Sequence, residues 1–174
     1  MIYFTSDLHL GHSNIIKLIG RPFEDIDEMN RVLIQNWNAV VGKNDEVYIL
    51  GDFSYKANVA DVNAWLKKLN GVKYLIKGNH DKYLNSPDFK QSAFKWVKDY
   101  FVLPYNGVKF VLFHYPIQEW DGYFKKTVHL HGHVHTRLVR GQDDIMEPRA
   151  INVGVDVNGF MPIHIDTLYC RAFG

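Results

Sequence analysis

Between His129 and Thr136 the chain reads HLHGHVHT, with imidazoles at every second position. Four other short stretches carry side chains of the same chemical kind: Asp7-Leu8-His9, Gly51-Asp52, Gly78-Asn79-His80-Asp81, and His114. Neutral imidazole, carboxylate and amide oxygen together suit manganese, iron or zinc better than calcium or magnesium. A single catalytic ion takes about three protein ligands and keeps one position open for water. Asp7, His9, Asp52, Asn79, His114, His133 and His135 exceed that need and fit two ions, particularly if one carboxylate is shared. Ion pairs roughly 3.5–4 Å apart favour phosphoryl chemistry, because they clamp both the attacking and the leaving oxygen. A lone buried histidine is ordinarily a packed, hydrogen-bonded residue, and a lone Gly-Asp is ordinarily a turn. Here that explanation has to be invoked separately at five places.

The elements that must position these groups are apolar runs, each followed by acids, amides or histidines. MIYFT runs into Ser6-Asp7, EVYIL into Gly51-Asp52, and VKYLIK into Gly78-Asn79-His80-Asp81. A short helix is expected over 13–19 with Ser13 as its cap. A stronger one follows, in which Met29, Val32, Leu33, Trp37, Val40 and Val41 recur at three- and four-residue steps. Asp25 and Asp27 supply oxygens and negative charge at its start, and Gly42 is expected to stop it. VADVNAWLKKL reads as another helix, ending before Asn70-Gly71. Strand, helix, strand, helix, strand favours an α/β fold with parallel strands. The second half is richer in strands, with YFVLPY, VKFVLFH, TVHLH and AINVGVD, and Asn106-Gly107 marks a hairpin. The segment 83–99 mixes aromatics with lysines and is expected to form a helix and loop over one end of the sheet. In an α/β sheet the loops leaving the carboxyl ends of parallel strands share one edge, so the donors should converge.

The 174 residues fit one domain spanning 1–174. A net charge of +1 gives no electrostatic reason to expect general nucleic-acid or membrane-surface binding. Cys170 is the single cysteine, so no internal disulfide can form. The opening residues lack a basic leader, and no apolar run approaches the roughly 20 residues that span a bilayer. The expected location is the cytoplasm, with no membrane association.

DLH at 7–9, GD at 51–52, GNHD at 78–81, His114 and GHVH at 132–135 resemble, in order, the five signature blocks of the calcineurin-like metallophosphoesterases. The resemblance implies two packed mixed β-sheets flanked by helices, an α+β sandwich. It implies that Asp7, His9, Asp52 and His135 hold one metal, and that Asn79, His114 and His133 hold the other with Asp52 as bridge. His80 would contact the phosphate or protonate the leaving group, and Asp81 would orient it. His129 and His131 would be strand residues or sit behind the ligands rather than bind metal. The block after Gly51-Asp52 lacks the arginine of the protein-phosphatase branch, which argues against a phosphoprotein substrate. His12 and Arg21, just past the first block, are candidates for substrate binding, where they would meet a phosphate oxygen, or else for packing behind the ligands; a further alternative for Arg21 is a surface charge ahead of Pro22.

The expected activity is hydrolysis of phosphoesters, diesters ahead of monoesters, with two divalent transition-metal ions. Manganese stands first, with iron, zinc or nickel as other candidates. The substrate could be a nucleotide or nucleic-acid phosphodiester. The rival readings are a non-catalytic metal-binding scaffold of the same fold and a nucleic-acid-binding module built on Lys90, Lys95, Trp96 and Lys98. The scaffold is disfavoured because all blocks and His80 are intact.

Overall fold

The structure is a computed structural model that describes residues 1–136 and 148–174. Two mixed sheets lie face to face. The first has the order β4-β3-β2-β1-β9, built from β1 (Ile2–Thr5), β2 (Glu46–Leu50), β3 (Val72–Ile76), β4 (Val97–Lys98) and β9 (Ile163–His164). β1 to β4 are parallel, and β9 runs antiparallel on the edge beside β1. The second sheet has the order β5-β6-β7-β8, from β5 (Tyr100–Tyr105), β6 (Val108–Phe113), β7 (Thr127–His131) and β8 (Ala150–Asn152). β5 and β6 form the antiparallel hairpin expected from Asn106-Gly107, both at positive φ, whereas β6, β7 and β8 are parallel.

Alternation along each strand divides the interior into two layers. Phe4, Tyr48, Leu50 and Ile76 meet Phe110, Leu112, Val128 and Leu130 between the sheets. Tyr3, Val47, Ile49 and Leu75 point the other way, onto helices α2 (Ile26–Val40) and α3 (Val59–Lys68). α2 begins where Asp25 accepts from the Glu28 N–H at 2.8 Å, and it buries Met29, Leu33 and Trp37 at four-residue steps. α3 is capped by Asn58, which accepts from Ala60. α1 (Ser13–Ile19) forms where expected, but its cap position is His12, with no side-chain capping bond.

Three expectations change. The segment after His80 holds no α-helix: two 3₁₀ turns, Lys82–Asn85 and Gln91–Ala93, carry the chain to β4. The strand expected over 150–156 stops at Asn152, whose side chain accepts from the Gly154 N–H at 2.8 Å and turns the chain into a 3₁₀ turn at Val155–Val157. The chain closes with an unanticipated helix, α4 (Ile165–Phe173), which buries Ile165 and Leu168 against the inter-sheet layer. Among the described residues, no helix is long and apolar enough to cross a membrane.

The register sets up the site. Thr5 pairs with Ile49 and Leu50 with Ile76, so β1, β2 and β3 end nearly level and release their loops at one edge. The second sheet ends at the same edge. The Val155 N–H donates to the Ser6 carbonyl at 3.0 Å, and Ser6 pairs with Gly154 in an isolated parallel bridge.

Candidate metal centre

The first two loops run side by side. Asp7 N–H donates to Gly51 O, His9 N–H to Asp52 O and Leu10 N–H to Phe53 O, at 3.0–3.1 Å. Asp7, His9, Asp52, His133 and His135 all take left-handed backbone, with φ between 53° and 69°. Such conformations are uncommon for residues with a Cβ and cost of order 1–3 kcal/mol each, so they persist where surrounding bonds over-determine them. Two glycines are required by close approach. A Cβ on Gly78 would fall on the Asp52 carboxylate, and one on Gly132 would fall on Ser6 Oγ and the Asp7 carboxylate.

The side chains gather into two adjoining sets. In one, donor atoms of Asp7, His9 and His135 lie within 4.8 Å of one another; in the other, those of Asp52, His114 and His133 do so. Asp52 Oδ2 lies 3.5 Å from His9 Nε2 and 3.5 Å from His114 Nε2, one imidazole of each set. Asn79 Oδ1 is 3.1 Å from His114 Nε2. All seven sequence candidates therefore converge.

The chemistry of these atoms fits two cations. Asp7 Oδ1 and both ring nitrogens of His9 are buried without a hydrogen-bond partner, a state that is costly for polar atoms. His114 Nδ1 lies 2.7 Å from the Leu50 carbonyl, which can only accept, so Nδ1 donates there and Nε2 is the nitrogen left for the site. Nε2 faces the Asn79 and Asp52 oxygens, three donor atoms that a cation between them would draw on together. Burial pushes Asp7 up to about 6 and drives His9 far below its usual value. A bound cation would reverse the first effect and use the neutral imidazole left by the second.

The residues around the sets take different parts. His80 is half-buried; its backbone N–H donates to Asp52 Oδ1 at 2.9 Å, and its ring meets Tyr55 edge-on with centroids 4.7 Å apart. Its Nε2 is 3.9 Å from Asp52 Oδ2. His12 lies at the mouth, its ring 4.0 Å from Tyr55 and 5.4 Å from His9.

Two expectations are corrected. Asp81 is not hydrogen-bonded to the His80 ring: its buried oxygens accept from the N–H groups of Asp52, Phe53 and Gly78 at 2.8–3.0 Å. It ties the second loop to the third. Arg21 is neither a surface charge nor open to substrate; of its expected parts it takes the remaining one, packing behind the ligands. Its side chain is fully buried, and its guanidinium is spent on Asp156 and on the carbonyls of Asp7 and Leu8.

His129 and His131 lie outside both donor sets. The ring nitrogens of His129 face the carbonyls of Val111 and Tyr115 at 3.2 Å, and His131 Nδ1 faces that of Gly132. Leu130 points between the sheets, so its neighbours His129 and His131 take the opposite face of β7; the strand ends there, and the Gly132 N–H donates to the His114 carbonyl as the chain turns towards His133 and His135.

Asp156, not among the residues expected from sequence, places Oδ2 2.7 Å from His135 Nδ1. Burial pulls Asp156 upward, but His135 and Arg21 on its oxygens outweigh that and hold it below the usual carboxylate range. Its signal was the one used elsewhere, an acid following an apolar run. Tyr55, which separates His12 from His80, carried no such signal.

Comparison with known proteins agrees with this geometry. The chain is 38% identical over 169 residues to the uncharacterized protein MJ1445 of Methanocaldococcus jannaschii, covering 96% of this chain and 88% of that one. It is 33% identical over 181 residues to the Gene 66 protein of Mycobacterium phage D29, covering 89% and 87%. Among solved structures, the protein of unknown function AQ665 from Aquifex aeolicus superposes with a TM-score of 0.76 at 30% identity, covering 98% of each chain. The profile described as calcineurin-like phosphoesterase matches residues 1–157, which contain every donor of both sets. By that match and by the paired donor sets at its sheet edge, the chain belongs to the calcineurin-like phosphoesterases.

Proposed function

We propose that this metal-dependent phosphoesterase is a dinuclear enzyme that cleaves phosphodiesters ahead of monoesters. Asp7, His9, Asp52 and His135 would hold one ion; Asp52, Asn79, His114 and His133 would hold the other. The observation that carries the assignment is the Asp52 carboxylate oxygen, equidistant at 3.5 Å from one imidazole of each set. Manganese is the first candidate for this donor set, with iron, zinc and nickel behind it. When bound, such a pair supplies an acidified water and neutralises charge on the phosphate oxygens.

The chain's own groups do the rest. His80 stands beside the shared carboxylate with its ring only partly enclosed, where it can give a proton to the departing oxygen. Such a group is worth about 10²–10⁴-fold in rate. Its orientation comes from Tyr55 and from its own N–H on Asp52 rather than from Asp81. His12, set against Tyr55 at the mouth, is placed to meet a phosphate oxygen or an ester group.

The preference for diesters rests on two grooves that meet at Tyr55 and His80. One, of about 490 Å³, runs past Lys56 and Lys82; the other, of about 540 Å³, runs past His12, Asn14 and Lys17. Each has room for one ester group, and the lysines are spread along them rather than gathered on a terminal phosphate. Cations beside an aromatic ring suit a nucleotide or nucleic-acid phosphodiester. A single cysteine and an absence of thiolate ligands suit the reducing cytoplasm.

The test restores each metal in turn to stripped protein and screens phosphomonoesters, cyclic nucleotides and phosphodiesters. Manganese-dependent hydrolysis of bis(p-nitrophenyl) phosphate faster than p-nitrophenyl phosphate is expected. Tight metal uptake with no hydrolysis of any member would instead identify a binding scaffold.

A further inference from the structure

Arg21 and Asp156 belong to neither donor set, yet they hold two members of one. Arg21 follows the left-handed Gly20 that ends α1, and its N–H bonds back to Ile16. From there its side chain reaches inward across the first loop. Nε and Nη2 meet the two oxygens of Asp156 at 2.8 and 3.0 Å, the two-pronged pairing that a planar guanidinium favours. Nη1 donates to the Leu8 carbonyl at 2.8 Å and Nη2 to the Asp7 carbonyl at 2.7 Å. These carbonyls belong to the loop that takes left-handed backbone at Asp7 and His9. On the other side, Asp156 Oδ2 receives His135 Nδ1 at 2.7 Å, and the His135 carbonyl accepts from Asn152 Nδ2 at 2.8 Å.

We propose that Arg21 and Asp156 are positioning residues that preset the Asp7–His9–His135 metal position. This rests on the dinuclear reading above. Asp156 keeps the proton on His135 Nδ1, so that Nε2 presents its lone pair towards Asp7 and His9. Arg21 fixes Asp156 and, through the two carbonyls, holds the turn that aims the Asp7 carboxylate. Carboxylate partners behind metal-binding imidazoles are worth about 10–100-fold in metal affinity. Among the described residues, the other position has no such carboxylate clamp. His114 leans on a backbone carbonyl, and His133 is exposed.

The full chain, stripped of metal, is titrated with Mn²⁺ by calorimetry, with bound metal counted by elemental analysis. Two ions are expected for the wild type. Asp156→Asn and Arg21→Lys should each raise one dissociation constant about 10–100-fold and leave the other within a factor of two or so. Two unchanged constants, or two raised alike, would overturn the proposal. Should either variant fail to fold, the wild type decides. Long-range ¹H–¹⁵N spectra of the metal-free protein at alkaline pH should show His135 protonated at Nδ1, and protonation at Nε2 would sink the idea. A wild type that binds no transition metal defeats the dinuclear reading itself. A wild type that binds two ions beside variants that bind them equally well defeats only the clamp.

Discussion

At the scale of single residues, His80 offers the sharpest separation of roles. Its tie to Asp52 runs through the backbone N–H, which alanine keeps, while the ring is the part that can deliver a proton. His80→Ala should therefore retain both ions by elemental analysis. It should lose about 10²–10⁴-fold in turnover of alkyl esters, and much less with p-nitrophenyl esters, whose leaving oxygen needs no proton. Equal losses on both substrates would mean that the ring does something other than protonate the leaving group. Residue types were legible before the fold because metal donors are few and their chemistry is local. Aspartate and histidine at five strand ends announced a metal site, but nothing local said where Arg21 would point. A cation before a proline reads as surface. It takes the packing of α1 against the first loop to enclose it with Asp156, 135 positions away.

At the scale of elements, β7 carries its histidines on two sides of a turn. His129 lies on the outward face, fully buried beside the ring of Trp120, with centroids 5.3 Å apart. Burial lowers it from 6.5 to about 4. Above pH 6.5 it is neutral in both folded and unfolded chains and contributes no pH dependence. Between 6.5 and about 4 the unfolded chain takes up a proton that the folded chain refuses. Stability should then fall by about 1.4 kcal/mol per pH unit across that window. Denaturant titrations of His129→Gln and the wild type at a series of pH values read this as a shallower slope in the variant; parallel slopes would exclude His129 as the cause. Strong periodicity made α2, α3 and the principal strands readable. α4 was not readable, because Ile163 and Ile165 alternate like a strand, and Thr167, Tyr169 and Cys170 are indifferent helix formers. Its helix is owed to burying Ile165 and Leu168 against the inter-sheet layer, a long-range effect.

At the scale of the whole molecule, the two donor sets draw on both sheets. Asp7, His9, Asp52 and Asn79 leave the first sheet, and His114, His133 and His135 leave the second. Ions held there would staple the sheets together at one edge, so metal should stabilise the fold. At a free concentration about 100 times the dissociation constant, each site adds about 2.7 kcal/mol. For a chain of this size that is a rise of roughly 5–10 °C per ion in thermal midpoint. Thermal scans of stripped protein against rising Mn²⁺ check it, and a midpoint that ignores the metal would place the ions outside the cooperative fold. The sequence by itself determined the kind of chemistry, the side chains that gather at the sheet edge and the parallel first half, because residue type and hydrophobic period are properties of neighbouring residues. Only the tertiary structure decided that Asp81 braces the loops and that Arg21 and Asp156 back His135. It also decided that Tyr55 divides the mouth into two grooves. Those outcomes depend on which atoms meet across loops and sheets, and a hydrogen bond between distant residues leaves no periodic trace in the chain.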